Sequence, residues 1–180
     1  MFEPGRPEII ATCGGRFLCV LNVDTGELLL KYCHKNKNQD FFSLSWTTTP
    51  ECGNVLASGS SLGEIRLYHL AKEVSFYSWI YKKGVSVNAV QFHSYKPSLL
   101  FTASKDSYVN LWDIGNPSPP YYEDIKHVQL LSLQATGGDL YSMAWVPESN
   151  WILVGAMEGL MAWKIVPNKL KTAKKMIEFR

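Results

Sequence analysis

Ser104, Lys105 and Asp106 stand side by side in the chain and carry a hydroxyl, a cation and a carboxylate. A hydrolase would need a base held against the serine and an oxyanion site built on a sharp strand-to-helix turn. The sequence has no long helical pattern to supply that turn. Because the same residue types also form tight hairpin turns, we interpret the trio as a turn and expect no enzymatic activity and no cofactor.

The composition is that of one folded domain, with 180 residues, 46% apolar and 19% charged. No run of about 18 apolar residues is present, so no membrane partner is expected. The four cysteines and four histidines are scattered without the spacing of a zinc site, so no metal site is expected either. Of 18 basic and 16 acidic residues, the stretch 164–180 holds six basic and one acidic residue, which makes the tail basic.

The segment around the trio repeats along the chain with a period of 44 to 51 residues. Each copy has an apolar run, a turn of small or polar residues, and a second apolar run. The copies are "IIATCGGRFLCVLNV" (9–23), "VLASGSSLGEIRLYHL" (55–70), "LLFTASKDSYVNLWDI" (99–114) and "WILVGAMEGLMAWKI" (151–165). A period near 40 residues that contains several short strands is typical of propeller blades.

Two further sets of strands complete the repeat. The alternating segments "FFSLSW" (41–46), "VNAVQF" (87–92) and "LYSMAW" (140–145) precede the copies, and "ELLLKY" (27–32), "EVSFYSWIY" (73–81) and "VQLLSL" (128–133) follow them. We therefore predict an all-β fold, a β-propeller with about three and a half blades over residues 9–165, between a leader (1–8) and a basic tail (166–180).

A closed ring of this kind takes about seven blades. An open stack leaves unpaired strand edges and an exposed apolar flank. We expect the sequence to be a fragment of a longer seven-bladed protein, and the alternative is a short protein completed by dimerisation.

The third copy resembles the WD-repeat family, which ends the corresponding strand in Trp-Asp, here Trp112-Asp113. The resemblance implies that Asp106 braces the blade by bonding a hydroxyl and a histidine, with Ser104 and Trp112 in the hydroxyl and tryptophan roles. The histidine is missing, because Lys82 or Lys83 stands where the family usually shows Gly-His.

Within that family, "ATCGGRFLCVLNVDTGELLLKY", "FFSLSWTT" and "FTASKDSYVNLWDIGNP" are similar to the leucine-rich repeat and WD repeat-containing chromatin proteins. They are more distantly similar to the embryonic ectoderm development subunit of the Polycomb complex. The resemblance implies a nuclear, chromatin-bound scaffold whose partners are subunits of the origin recognition complex and histone tails carrying trimethyl-lysine.

A trimethyl-lysine reader needs an aromatic cage, because a quaternary ammonium gains from ring faces and has no hydrogen to donate. In the Polycomb relative one cage residue is the second residue of an innermost strand, which is Phe42 here. The equivalent residues of the next two blades are Asn88 and Tyr141. Phe42 and Tyr141 are therefore the candidate methyl-lysine-binding residues, and packing is the alternative for both.

Two other interpretations remain open. Lys35 and Lys37 precede Phe42 and, with the basic tail, would suit the phosphates of DNA or RNA, although we favour a solvated loop for the two lysines. A WD-repeat propeller also serves as a general protein-interaction platform without histone reading.

Overall fold

The computed structural model describes residues 1–69, 74–115 and 126–166, and these ranges form β-strands without any helix. The first seven strands are β1 (Phe2–Glu3), β2 (Arg6–Gly14), β3 (Phe17–Asn22), β4 (Leu28–Cys33), β5 (Phe41–Thr49), β6 (Gly53–Ser60) and β7 (Glu64–His69). The others are β8 (Val74–Ile80), β9 (Val87–His93), β10 (Lys96–Ser104), β11 (Tyr108–Asp113), β12 (Val128–Gln134), β13 (Leu140–Val146), β14 (Trp151–Ala156) and β15 (Gly159–Lys164).

The strands form four antiparallel sheets in chain order, namely β1–β4, β5–β8, β9–β12 and β13–β15. Consecutive strands are neighbours in every sheet, as in the blades of a propeller. The predicted all-β fold, a partial propeller, is confirmed.

The first sheet begins within residues 1–8, the segment predicted as a leader. Phe2 and Glu3 form the short strand β1, and β2 already begins at Arg6. Glu3 is buried, and its carboxylate accepts a hydrogen bond from the Asn54 side chain at 2.7 Å. At the other end, the predicted basic tail lies outside the described residues except for Val166.

The two middle sheets bury both faces, because alternate residues of a strand point to opposite neighbours. In β6, Leu56 packs in the cluster shared with the first sheet, whereas Val55 and Ala57 pack in the cluster shared with the third. In β10, Leu100 packs towards the second sheet and Phe101 towards the fourth. This explains why these strands are apolar at consecutive positions.

The outward faces of the first and fourth sheets are less well covered. Phe17 in β3 is 44% exposed, and Leu160 in β15 is 65% exposed. Their strand neighbours on the inward face, Leu18 and Met161, are buried. The packing therefore continues through the stack and stops at its two ends.

Side chains of β5 and β9, the first strands of the second and third sheets, bond the backbone of the first strand of the next sheet. The Ser43 and Ser45 hydroxyls of β5 accept hydrogen bonds from the amides of Val90 and Phe92 in β9, at 3.1 and 2.9 Å. The Gln91 side chain of β9 accepts from the Trp145 amide of β13 at 2.9 Å. These bonds hold the inner strands in register around the propeller axis.

A close approach between the β6–β7 turn and the β8–β9 loop depends on Gly63, which lies in that turn. Gly63 has a φ of +86°, which side chains rarely adopt. A Cβ at this position would clash with the Lys82 carbonyl and lie 2.8 Å from the Val85 oxygen. The Gly63 carbonyl also accepts a hydrogen bond from the Tyr81 amide at 2.9 Å, so the turn sits directly on the β8–β9 loop.

We predict that Gly63→Ala destabilises the fold more than Gly53→Ala. Gly53 has a similar φ of +70° but nothing within 4 Å of an added Cβ, so its substitution costs only the backbone term of about 1–2 kcal/mol. Gly63→Ala adds the clash and should cost about 1–3 kcal/mol more. Urea denaturation of both variants measures the difference, and equal losses would show that the turn does not pack on the β8–β9 loop.

Candidate functional site

The innermost strands of the second, third and fourth sheets, β5, β9 and β13, each begin with a β-bulge. The extra residue of each bulge is the second residue of the strand. The pairing register shifts across Phe42 in β5, Asn88 in β9 and Tyr141 in β13, so none of them has a partner directly opposite. A bulge bends the strand locally and re-aims the side chain of its extra residue. The three residues that the repeat aligned are therefore equivalent in backbone geometry.

A repeated backbone hydrogen bond fixes the start of each of these strands. In each of these three sheets, the backbone carbonyl of the residue before the innermost strand accepts a hydrogen bond from a backbone amide in the turn between the sheet's second and third strands. The distance from nitrogen to oxygen is 2.9 Å in every case. The pairs are Ser61 N to Asp40 O, Lys105 N to Ser86 O, and Met157 N to Asp139 O. The bulged residue comes two positions after the bonded carbonyl, so its place relative to the turn is set.

The structure brings Phe42 and Tyr141 to one cavity of about 560 Å³, with Asn88 also in its lining. The phenylalanine is 49% exposed and the tyrosine 56% exposed. A second cavity of about 350 Å³, along the inner strands, shares these three residues. Both aromatic side chains are thus partly exposed where β5 and β13 begin.

Polar groups around the aromatic residues are largely engaged. The Asn88 side-chain amide donates a hydrogen bond to the Leu140 carbonyl at 2.5 Å, and this bond ties β9 to β13. The side-chain oxygen of Asn88 accepts a hydrogen bond from the Ser86 hydroxyl. Lys105 and Asp139 both line the larger cavity, with their charged atoms 3.8 Å apart. Because these two charges largely cancel, the rings are the main feature that a cation would recognise.

The Ser104 and Asp106 side chains contact each other at the turn between β10 and β11. The fully buried Ser104 hydroxyl lies 2.6 Å from the Asp106 carboxylate and 3.0 Å from the Tyr108 carbonyl. Both contacts lie within the turn and the start of the strand that follows it. Lys105 points instead towards Asp139 in the next sheet.

The missing histidine partner of Asp106 is replaced by two residues of the β8–β9 loop. The Tyr81 hydroxyl donates to the carboxylate at 3.3 Å, and the Lys82 ammonium lies 3.2 Å from the same oxygen. Burial raises the pKa of Tyr81, so the hydroxyl stays protonated and remains a donor. The loop between the second and third sheets is thereby tied to the β10–β11 turn.

Trp112 lies apart from the Ser104 and Asp106 hydrogen bonds. Its indole N–H donates to the Thr102 hydroxyl at 3.0 Å. Its ring packs edge-on against Trp79 and Tyr81, at centroid distances of 5.9 and 6.0 Å. The tryptophan therefore contacts the bracing group through the Tyr81 ring.

A comparable bracing group in the second sheet was not predicted from the sequence. Gln39 donates to the Ser60 hydroxyl at 3.0 Å and to the Glu64 carboxylate at 2.6 Å. The buried His34 stacks on Phe41 at 3.9 Å, and its Nδ1 lies 3.8 Å from Glu64. Burial lowers the pKa of His34, although Glu64 opposes the shift. The sequence signal was a histidine directly after an outer strand.

The structure separates Lys35 and Lys37 from the aromatic cavity. Both are exposed in the β4–β5 loop. Lys35 lines a different groove of about 470 Å³, which shares no lining residue with the cavity of Phe42 and Tyr141. Lys35 and the two aromatic side chains therefore line different concave surfaces.

All four cysteines lie within the described ranges, 1–69, 74–115 and 126–166. The four cysteines are free thiols. No group of three or more histidine, cysteine or acidic residues there has a geometry that could hold a metal ion. No described helix is long and apolar enough to span a membrane.

Consecutive antiparallel sheets, three of them four-stranded, with Trp112-Asp113 at the end of β11, define a WD-repeat β-propeller protein, and solved structures share this fold. A chain of the crystal structure of the mitotic checkpoint complex matches with a TM-score of 0.68 and 16% identity, over 87% of this chain and 43% of that one. A chain of an active polycomb repressive complex 2 in the basal state matches with a TM-score of 0.71 and 17% identity, over 91% and 35%.

The chain belongs to the WD-domain family of leucine-rich repeat and WD repeat-containing protein 1, whose model matches residues 4–178. It is 35% identical to that protein of Xenopus laevis over 91% of this chain and 24% of the relative, and 34% identical to that of Danio rerio over 92% and 22%. It is 25% identical to Polycomb group protein FIE1 of Oryza sativa subsp. japonica over 96% and 48%. The resemblance read from the sequence is confirmed, and the chain spans about a quarter of the length of the two animal relatives.

We predict that Asp106→Ala destabilises the chain by about 1–3 kcal/mol, because it leaves the buried Ser104 hydroxyl and the Tyr81 hydroxyl without their shared acceptor. Asp24→Ala, in the exposed β3–β4 turn, is the matched control and should change stability by less than about 0.5 kcal/mol. Lys82→Ala should cost little, since this ammonium is 59% exposed. Urea denaturation checks all three, and equal effects of Asp106→Ala and Asp24→Ala would contradict the bracing role.

Proposed function

We propose that this chain is a nuclear, chromatin-associated scaffold that binds histone tails carrying repressive trimethyl-lysine marks in the cavity of Phe42 and Tyr141. The observation that carries the proposal is the placement of two half-exposed aromatic side chains, on equivalent bulges, in one cavity. The family and the Polycomb relative support the chromatin setting. Recruitment or stabilisation of the origin recognition complex rests on the sequence resemblance alone.

The chemistry of the cavity matches a quaternary ammonium better than a primary one. A trimethylammonium has no N–H to donate, so it is held by ring faces and released from water at low cost. Phe42 offers only a ring, and Tyr141 offers a ring with a hydroxyl at its edge. An unmethylated lysine would prefer a free carboxylate, and Asp139 already faces Lys105 at 3.8 Å.

The two rings would form part of a cage. They belong to the second and fourth sheets, and the third sheet places Asn88 between them at the equivalent bulge. Asn88 is held by Ser86 and Leu140, so it can shape the floor of the cavity without moving. We propose that blades further around the ring supply the remaining walls.

A general interaction platform without histone reading is the second candidate. Its support is the exposed apolar surface on the outward faces of the end sheets, which includes Phe17 and Leu160. The two candidates differ in what they require of Phe42 and Tyr141. Only a histone reader needs these rings for a preference between methylated and unmodified peptides.

We predict that Phe42→Ala and Tyr141→Ala each weaken binding of a trimethyl-lysine histone H3 peptide by about tenfold, which corresponds to about 1.4 kcal/mol for one ring face. Phe42→Tyr should retain binding, because it keeps the ring. Tyr95→Ala is the matched control, since Tyr95 is also exposed but lies in the β9–β10 turn at the opposite end of the strands. Calorimetric titration with trimethylated and unmodified peptides measures these affinities.

Two results would contradict histone reading. One is equal affinity of the unaltered chain for the trimethylated and unmodified peptides, which would favour the general platform. The other is a preference for the trimethylated peptide that survives Phe42→Ala. Thermal denaturation of each variant checks that the fold is intact, which is expected because both side chains are about half exposed.

A further inference from the structure

A second concave surface lies between the first and second sheets and shares no lining residue with the aromatic cavity. This groove of about 470 Å³ has Tyr32, Leu62 and Ile80 in its walls, and Lys35 and Lys83 come from the two loops beside it. Ile80 is 61% exposed although it is a large aliphatic residue. The groove thus combines an exposed apolar wall with two basic side chains.

The two lysines are uncompensated in the groove. Glu64 also lines it, but its carboxylate binds the Arg66 guanidinium and accepts a hydrogen bond from Gln39 at 2.6 Å. Neither Lys35 nor Lys83 forms an ion pair within the described residues. After the Arg66 and Glu64 charges cancel, the groove carries two positive charges.

The floor of the groove is fixed and not fully satisfied. Arg66 is held by the Ser75 hydroxyl at 2.8 Å and lies over the Tyr32 ring at 5.1 Å. Two buried atoms here have no hydrogen-bond partner in the described part of the chain, namely Arg66 Nε and His34 Nε2. The His34 side chain is 3% exposed. Buried polar atoms without a partner are uncommon in folded proteins.

The mixture of charge and apolar surface favours a peptide over a nucleic acid. A nucleic-acid backbone is bound by a row of cations that follows its phosphates. Here the two lysines flank a wall that contains Ile80 and Leu62, and Glu64 lies within the same lining. An acidic peptide with an aliphatic side chain gains from both parts of the surface.

We infer that this groove is a docking site for an acidic peptide segment of a partner protein. Its carboxylates lie between Lys35 and Lys83, and an aliphatic side chain packs against Ile80. The site is independent of the proposed function, because it shares no lining residue with the cavity of Phe42 and Tyr141.

Fluorescence anisotropy on the full chain tests the inference, with a labelled peptide of four Glu-Glu-Leu repeats as the probe and four Gln-Gln-Leu repeats as its uncharged counterpart. The acidic peptide should bind at least tenfold more tightly, and its affinity should fall as NaCl is raised from 50 to about 300 mM. The double variant Lys35→Glu/Lys83→Glu should lose at least tenfold, and Ile80→Ser about threefold. Phe42→Ala should leave this affinity unchanged, which separates the groove from the aromatic cavity.

The matched control for each single variant, Lys35→Glu or Lys83→Glu, is Lys96→Glu, which makes the same charge change at an exposed lysine at the opposite end of the strands. It should reduce the affinity less than twofold. Equal losses in Lys96→Glu and in Lys35→Glu or Lys83→Glu would overturn the inference, because attraction would then come from net charge alone. Tighter binding of a single-stranded oligonucleotide of matched charge, lost in the double variant, would also overturn it and assign the groove to nucleic acid.

Discussion

The structure depends on one backbone hydrogen bond that recurs in three consecutive sheets. The carbonyl of the residue before each inner strand accepts from an amide of the turn between the second and third strands, at 2.9 Å in every case. This bond closes the top of each sheet and decides where the inner strand starts. Because the bulge follows immediately, the same bond places Phe42, Asn88 and Tyr141 around the channel. The backbone repeat therefore fixes where these three residues lie, and the side chain at the equivalent position differs from sheet to sheet.

The side chains that support this bond vary between sheets. Ser104 and Asp106 brace the third sheet with help from Tyr81 and Lys82, whereas the second sheet uses a group built on Gln39 and Glu64. Both groups link the turn of one sheet to the loop that comes from the preceding sheet. The same physical task, holding a loop against a turn, is thus performed by different residue types.

Much of the fold was predictable because it rests on local patterns. Alternation in "FFSLSW" and its equivalents identifies inner strands, and the glycine and serine turns identify hairpins. The bulges were not predictable, since the register across Phe42 or Tyr141 depends on pairing with a distant strand. The role of Tyr81 was also missed, because a tyrosine in that loop has no motif of its own. The strand at Phe2 and Glu3 was missed because two residues carry no periodicity.

The aromatic pair is the part of the proposed function that a single measurement tests most directly. That measurement is the set of intermolecular nuclear Overhauser effects between the trimethylammonium protons of a methylated histone H3 peptide and the ring protons of the ¹³C-labelled chain. The account predicts effects to both Phe42 and Tyr141, because their rings line one cavity. Effects to neither ring, with the peptide bound, would contradict it.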